Sequence, residues 1–143
     1  MSGIKAGDDF PQGVFFSYIQ PSPEIAEFST CGAPTNYNAS EEFKNKKVVL
    51  VSVPGAFTPT CSGSHVPSYV ENIDKIKAKG VDQVILFMSD HNAKFSSSIG
   101  WNLGERTGRF ALIVENGKVI YASKDDDPKS IEQSGALGVL AHL

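Results

Sequence analysis

The hydrophobic residues of the chain form two continuous runs separated by a periodic segment. Residues 47–53 and 81–88 have the length and unbroken apolar character of strands that are covered on both faces of a sheet. Between them, in residues 60–79, apolar side chains recur at steps of three and four, which predicts an amphipathic helix ending at Gly80. Its predicted inward positions are Val66, Val70, Ile73 and Ile76. Pro67 lies within this helix and predicts a kink, because it removes a main-chain hydrogen bond.

The second half of the chain predicts a hairpin and two further helices. Residues 109–115 and 118–122 alternate like strands around Asn116-Gly117, a strong signal for a two-residue turn. Residues 93–99 and 130–143 have helical patterns. The predicted inward positions of the last helix are Ile131, Leu137, Leu140 and Leu143.

The N-terminal part, residues 1–40, carries many turn formers and reads as an irregular hairpin region with a β-like run at 14–19. Ser40 is a candidate N-cap of a short helix that follows. After this extension the element order is β-α-β-α-β-β-α. A parallel βαβ unit joined to an antiparallel hairpin predicts an α/β protein with a central mixed sheet flanked by helices, the thioredoxin-like arrangement. We expect one domain over residues 1–143.

Composition narrows the functional classes. The chain of 143 residues carries a net charge of −3, which does not favour a nucleic-acid-binding surface. Its apolar runs are shorter than the roughly 20 residues of a membrane helix, and its N-terminus lacks the apolar core of a signal peptide. We therefore expect a cytoplasmic protein, with peroxisomal import as an alternative because Ala141-His142-Leu143 resembles a small–basic–Leu address. The two cysteines and three histidines show no metal-ligand spacing, so neither a metal nor a cofactor is predicted.

Cys61 lies where a thiol is expected to be reactive. In the stretch PGAFTPTCSGSH it follows a predicted buried strand and opens a predicted helix. Unpaired N–H groups and the helix dipole favour a thiolate there, whereas an ordinary thiol, with a pKa of about 8.5, is mostly protonated at neutral pH. Thr58 can direct its hydroxyl at the sulfur or at a bound oxygen. Three alternatives stay open: Cys61 as a small buried hydrophobic residue, Thr58 as a helix cap, and His65 as a surface residue.

The residues around Cys61 resemble the active-site signature of the peroxiredoxins. The match is Pro54-x-x-x-Thr58-x-x-Cys61 after an apolar strand, and the fuller string PGAFTPTCS with H-x-P-x-Y is similar to the type-5, alkyl-hydroperoxide-reductase branch, especially its fungal members. The resemblance implies a thiol-dependent peroxidase that reduces hydrogen peroxide and alkyl hydroperoxides, in which Cys61 becomes a sulfenic acid. It also implies that Thr58 binds the peroxide, Pro54 shields the pocket from water, and Arg109 holds the thiolate anionic.

Cys31 resembles the resolving cysteine that fungal members carry in an N-terminal loop before a proline, as in the stretch STCGAP. The resemblance implies an intermolecular disulfide between Cys31 and the partner's Cys61, and hence a homodimer that thioredoxin recycles. The alternative for Cys31 is a loop thiol without this role, with glutathione or glutaredoxin as the reductant. The alternative for Arg109 is a surface charge at a strand end.

The chain departs from the family at one place. After Ile85, family members continue the strand, form a helix and add a short strand before the stretch that matches residues 86–90. The missing piece is on the order of 25 residues at usual element lengths. We therefore expect a thioredoxin-like core that lacks one family helix and the adjoining strand. Two functions follow: a peroxidase, or a shortened and catalytically impaired form that acts as a redox-responsive binding module or has no function.

Overall fold

The computed structural model describes residues 3–20, 22–23, 32–55, 59–86, 90–127 and 129–143. The strands in these ranges are β1 (Phe15–Ile19), β2 (Pro34–Asn38), β3 (Lys47–Ser52), β4 (Gln83–Leu86), β5 (Asn102–Leu103), β6 (Arg106–Thr107), β7 (Phe110–Glu115) and β8 (Lys118–Lys124). The α-helices are α1 (Ala39–Glu42), α2 (Val66–Ala78), α3 (Lys94–Ser98) and α4 (Ala136–Leu140). A 3₁₀ turn follows α1 at Phe43–Asn45, another precedes α3 at His91–Ala93, and a π turn at Cys61–His65 precedes α2.

A four-stranded mixed sheet with the strand order β4-β3-β7-β8 forms the centre of the fold. β3 pairs with β4 in parallel, and β7 pairs antiparallel with both β3 and β8. Successive residues of β3 face opposite sides of the sheet, so that Val48 and Leu50 belong to one apolar cluster and Val49 and Val51 to another. Both faces are covered, which explains the unbroken apolar run in the sequence of β3.

Different parts of the chain cover the two faces. On one face, the N-terminal segment and α3 contribute an aromatic cluster that contains Phe10, Phe16, Phe43 and Phe95. On the other face, α2 and α4 contribute Tyr69, Ile76, Ala136 and Val139. The chain passes from the C-terminal end of β3 into the layer that contains α2, so this junction lies at one end of the sheet.

The β7–β8 hairpin confirms the prediction made from Asn116-Gly117. Both turn residues have positive φ angles, 50° and 79°, as a type I′ turn requires. Gly80, with a φ angle of 82°, follows the C-cap of α2 as predicted. These turns are readable from sequence because glycine and asparagine adopt left-handed angles at low cost.

The buried face of α2 differs from the prediction. Val70 is 68% exposed, whereas Tyr69 and Ile76 are buried, so the predicted inward position of Val70 is wrong. Tyr69 and Ile76 are seven residues apart, about two helical turns, and therefore share one face, whereas Val70 lies about a third of a turn away from Ile76. Pro67 lies just after the π turn inside a continuous helical segment, and this irregular turn accommodates its missing main-chain N–H.

The C-terminal helix is much shorter than predicted. Only Ala136–Leu140 is helical, and Leu137, which was predicted to face inward, is 71% exposed. The preceding residues form turns because the carboxylate of Asp125 accepts the main-chain N–H groups of Gln133 and Ser134. These N–H groups are satisfied without a helix.

The N-cap of α1 is Asn38 rather than the predicted Ser40. The Asn38 side chain accepts the N–H of Glu41 at 3.3 Å. Ser40 is buried, and its hydroxyl accepts the N–H of Val14 and donates to the carbonyl of Pro11, both at 2.8 Å. Ser40 therefore connects α1 to the segment before β1 and does not cap the helix.

Candidate active site

Cys61 is the first residue of the π turn that connects β3 to α2. Its side chain is buried, with 1% exposure. The chain leaves the sheet after Ser52 and passes Pro54 before it reaches this turn. The sulfur therefore lies at the strand-to-helix junction that the sequence predicted. Thr58, whose hydroxyl was predicted to face the sulfur, lies outside the described residues.

Sheet pairing brings Arg109 beside Cys61, although the two are 48 residues apart in sequence. In the antiparallel pair of β3 and β7, Ser52 lies opposite Phe110, so the end of β3 is next to the start of β7. Arg109 immediately precedes Phe110, and its Nη2 donates a hydrogen bond to Sγ of Cys61 at 3.3 Å. Arg109 is only 4% exposed, so the alternative of a surface charge is wrong. A buried cation that donates to sulfur favours the thiolate.

A buried hydroxyl network fixes the main chain just before Arg109. The Ser52 hydroxyl donates to the carbonyl of Gly108 at 3.0 Å and shares a hydrogen bond with the hydroxyl of Thr107 at 2.7 Å. The Thr107 hydroxyl in turn bonds that of Ser96, at 2.5 Å. The network joins the ends of β3 and β6 to α3, and so holds the segment that carries Arg109.

His65 contacts the other terminal nitrogen of Arg109. It is completely buried, and its Nδ1 accepts a hydrogen bond from Nη1 at 2.9 Å. An arginine only donates, so Nδ1 carries no proton and the neutral ring is protonated at Nε2. Burial lowers the pKa of His65 below its ordinary value of 6.5. The hydrogen bond with Ser134 raises this pKa and the charge of Arg109 lowers it, and the net shift is downward. The alternative of a surface histidine is wrong.

On the side of His65 away from the thiol, hydrogen bonds continue through Ser134 to Asp125. Nε2 of His65 lies 3.0 Å from the carbonyl oxygen of Ser134 and 3.2 Å from its Oγ. The Ser134 hydroxyl donates to the carboxylate of Asp125 at 2.5 Å. Burial raises the pKa of Asp125, but hydrogen bonds from the Ser134 hydroxyl and from main-chain N–H groups outweigh it and lower the pKa overall. Asp125 therefore accepts these bonds as a carboxylate.

Sequence reasoning missed His65, Ser134 and Asp125 as parts of the site. His65 follows Cys61 by four residues inside a helical segment, a spacing that places side chains on one face and was a usable signal. Ser134 and Asp125 lie in the turns between β8 and α4, where no period relates them to Cys61.

A cavity of about 100 Å³ lies beside Arg109, and Pro54, Trp101 and Gly108 are among its lining residues. This volume is enough for several water-sized groups, since one water needs roughly 10–15 Å³ on this measure. A larger cavity, about 260 Å³, is lined by residues 11–15 and α3 and not by Pro54 or Arg109. Of the predicted site residues, the structure therefore brings Arg109 into contact with Cys61 and places Pro54 in the wall of the cavity beside Arg109, while Cys31, like Thr58, lies outside the described residues.

The described ranges contain neither a metal-ligand cluster nor a membrane-spanning helix. Among those residues, no three His, Cys, Asp or Glu side chains are grouped as ligands for a metal ion. No helix in the same ranges has the length and apolar character needed to cross a bilayer.

The whole chain is similar to proteins of known family. The family model described as Redoxin matches residues 5–87 and 83–140. The peroxiredoxin Pen c 3 of Penicillium citrinum is 48% identical, over 98% of this chain and 99% of that protein. The peroxiredoxin AHP1 of Chaetomium thermophilum is 41% identical, over 100% of this chain and 96% of that protein. A crystal structure of reduced Prx3 from Vibrio vulnificus in complex with H₂O₂ is 32% identical and covers 96% of this chain and 98% of that one, with a TM-score of 0.79.

The fold, with its buried cysteine beside an arginine, defines a thioredoxin-fold protein with a thiol-based site. The chain belongs to the peroxiredoxins, thiol-dependent peroxidases within the redoxin family. The predicted family, the predicted thiol-peroxidase activity and the predicted thioredoxin-like α/β fold are confirmed.

The chain is shorter than its relative from Chaetomium thermophilum. The alignment with the Chaetomium thermophilum protein has 167 columns for the 143 residues of this chain, so 24 columns contain none of its residues. The two matches to the family model overlap at residues 83–87, which include β4. β4 still pairs with β3, as an edge strand. The contact between Arg109 and Cys61 depends on β3 and β7, and both strands form in this chain.

Proposed function

We propose that this chain reduces hydroperoxides through the sulfur of Cys61. The thiolate attacks one oxygen of the peroxide, an S–O bond forms and the O–O bond breaks, so the sulfur is oxidised to a sulfenic acid and the peroxide is reduced. The leaving oxygen takes a proton from solvent and departs as water or an alcohol. The observation that supports this reaction is the 3.3 Å contact between Nη2 of Arg109 and Sγ of Cys61, both of them buried.

Arg109 has two roles in this reaction. Its permanent positive charge favours the thiolate before attack, and its N–H groups can donate to the oxygen on which negative charge develops as the O–O bond breaks. Burial strengthens both effects, because electrostatic interactions are stronger where water is excluded. Pro54, at the wall of the cavity beside Arg109, limits the access of water. Thr58 binds the peroxide through its hydroxyl, a role that rests on the match to the peroxiredoxin signature.

The test is a single turnover of the reduced protein with an equimolar amount of hydrogen peroxide and no added reductant. We expect the wild type and Cys31→Ser to consume the peroxide, and Cys61→Ser to consume none above the buffer control. Cys31→Ser is the matched control, because it makes the same chemical change at the other cysteine of the chain. Equal consumption by the two variants would contradict the role of Cys61.

Recycling through Cys31 is the second part of the proposal. Cys31 attacks the sulfenic acid at the partner's Cys61, releases water and leaves an intermolecular disulfide in a homodimer, which thioredoxin then reduces. This role rests on the position of Cys31 before the Gly32-Ala33-Pro34 stretch, as in fungal relatives. A non-reducing gel after one turnover should show a covalent dimer in the wild type and none in Cys31→Ser. A dimer that persists in Cys31→Ser would contradict this role, and full recycling of that variant by glutathione and glutaredoxin would favour the alternative reductant.

The proposed location is the cytoplasm, with peroxisomal import as the alternative suggested by Ala141-His142-Leu143. A fluorescent protein fused to the N-terminus of the full chain distinguishes the two. Peroxisomal fluorescence that disappears on removal of these three residues would favour import, and diffuse fluorescence in both cases would favour the cytoplasm.

A further inference from the structure

Four residues beside the thiol form a closed circuit of hydrogen bonds, which we call the Arg109–Asp125 ring: Arg109, His65, Ser134 and Asp125. Nη1 of Arg109 bonds Nδ1 of His65, Nε2 of His65 bonds Ser134, and Oγ of Ser134 bonds the carboxylate of Asp125. The main-chain N–H of Asp125 closes the ring by donating to the carbonyl of Arg109 at 3.0 Å. The ring therefore connects the loop after β8 to the guanidinium that contacts Cys61.

The direction of each side-chain bond follows from the chemistry of its donor and acceptor. Arg109 donates to Nδ1 of His65, so the ring proton of the neutral histidine lies on Nε2. Nε2–H then faces the carbonyl oxygen and Oγ of Ser134, which both accept. The hydroxyl hydrogen of Ser134 points to Asp125, because a carboxylate only accepts. All the side-chain bonds thus run from the cation of Arg109 towards the anion of Asp125.

Asp125 is the group that holds the far side of this ring. Its Oδ1 accepts from the hydroxyl of Ser130 at 3.0 Å and the N–H of Gln133 at 3.1 Å. Its Oδ2 accepts from the N–H of Ser134 at 2.9 Å and from the hydroxyl of the same residue. Four donors therefore converge on two oxygens, and only an ionised carboxylate accepts all of them. An amide at this position turns one oxygen into a donor, which would face two other donors.

We propose that Asp125 is a positioning residue of the peroxidase site: its carboxylate fixes Ser134 against Nε2 of His65, and His65 in turn directs the guanidinium of Arg109 at the sulfur of Cys61. The proposal rests on the proposed function of Cys61 and Arg109. Asp125 itself acts through two intermediate residues and does not touch the reacting atoms. His65 and Ser134 are buried, so water cannot replace a hydrogen bond that the ring loses. A displacement of the Asp125 carboxylate therefore also displaces Ser134, His65 and the guanidinium of Arg109.

The experiment compares Asp125→Asn with Asp127→Asn in the full chain. Asp127 lies in the same loop, is exposed, and its side chain accepts one N–H, from Lys129 at 2.9 Å, so the control makes the same change outside the ring. One measurement is the rate of a single turnover with hydrogen peroxide. The other is the ¹H–¹⁵N spectrum of the imidazole of His65, which separates the Nε2–H tautomer from the Nδ1–H tautomer; variants that lack His91 or His142 assign the signals.

We expect Asp125→Asn to react with peroxide about tenfold or more slowly than Asp127→Asn, the size of loss known for hydrogen-bonding partners that orient metal-ligating side chains in the same indirect way. We also expect the Nε2–H signal of His65 to shift or to be joined by the other tautomer. Asp127→Asn should match the wild type in both measurements. If Asp125→Asn loses thermal stability but keeps the rate and the His65 signals of the control, Asp125 only orders its loop and the proposal is overturned.

A second variant decides the matter if Asp125→Asn does not fold. Ser134→Ala removes the hydroxyl from the ring but keeps the two main-chain N–H bonds to Asp125. A peroxide reaction slower than that of Asp127→Asn supports the proposal, and an equal rate overturns it. Cys61→Ser is measured in parallel. If it still reduces peroxide, the proposed function fails, whereas the His65 spectra still report whether Asp125 holds the ring.

Discussion

Replacing Arg109 by lysine keeps the positive charge but removes the planar fork. In the structure, the two terminal nitrogens of Arg109 serve two acceptors, Sγ of Cys61 at 3.3 Å and Nδ1 of His65 at 2.9 Å. A lysine has a single nitrogen on its side chain and cannot reproduce both contacts in this fixed geometry. Arg109→Lys therefore leaves either the sulfur or the imidazole without its buried donor.

The size of the effect follows from the contact that is lost. A hydrogen bond in which one partner is charged contributes about 1.5–3 kcal/mol. Since about 1.4 kcal/mol changes a rate by a factor of ten, Arg109→Lys should slow the reaction with hydrogen peroxide about tenfold to a hundredfold. The leaving oxygen also depends on this donor, so the upper part of the range is expected.

The assay is a stopped-flow measurement of a single turnover, followed by the fluorescence of Trp101. This is the one tryptophan of the chain, and it lines the same cavity as Arg109. The control is Arg106→Lys, the same substitution at the chain's other arginine, which is exposed on β6. If Arg109→Lys reacts within about twofold of Arg106→Lys, the fork of Arg109 does not act on the sulfur and the reasoning from its hydrogen bonds fails.

Two predictions concern stability. Burial lowers the pKa of His65 from 6.5, so the native protein holds this ring neutral. The contribution of the neutral ring to the free energy of unfolding is therefore intact above about pH 6.5. It is lost as the pH falls, because the unfolded chain then binds a proton that the native state resists. Urea unfolding between pH 7.5 and 5 should show this decline in the free energy of unfolding, and the decline should be smaller in His65→Gln. If His65→Gln and the control His142→Gln lose stability equally as the pH falls, the prediction is contradicted. Ile76 is buried, so Ile76→Ala should lower the free energy of unfolding by about 2–5 kcal/mol. Val70 is exposed on the same helix, so Val70→Ala should lower it by less than about 0.5 kcal/mol. Similar losses for the two variants would refute the orientation of α2.

The central strands and the β7–β8 hairpin could be predicted because their signals are local. The unbroken apolar run of β3 reflects a strand with both faces covered, and Asn116-Gly117 reflects backbone angles that few other residues tolerate. The C-terminal end of α2 was predicted closely, but the helix face that packs against the sheet was not. Tyr69 lies seven residues before Ile76, about two turns, and so shares its buried face, whereas Val70 lies six residues before Ile76 and faces about a third of a turn away. The prediction chose the aliphatic Val70 over the aromatic Tyr69 beside it.

The short elements were the least predictable. β5 and β6 have two residues each, too few to show a period. The segment before α4 has a helical pattern, but Asp125 satisfies the N–H groups of Gln133 and Ser134 and keeps it as a turn. A contact between a side chain and a distant main-chain group outweighed the helical tendency of these residues.

The family, the order of the main strands and helices, and Cys61 as the candidate reactive thiol could be read from the sequence alone, since each depends on neighbouring residues along the chain. Tertiary structure decided which polar groups surround that thiol. The family resemblance named Arg109, but the pairing of β3 with β7 places it beside the sulfur; His65 bonds Arg109 directly, and Asp125 is linked to His65 through Ser134. The physical reason is that apolar burial repeats with the period of a helix or strand, whereas a hydrogen bond joins one donor to one acceptor and leaves no period in the sequence.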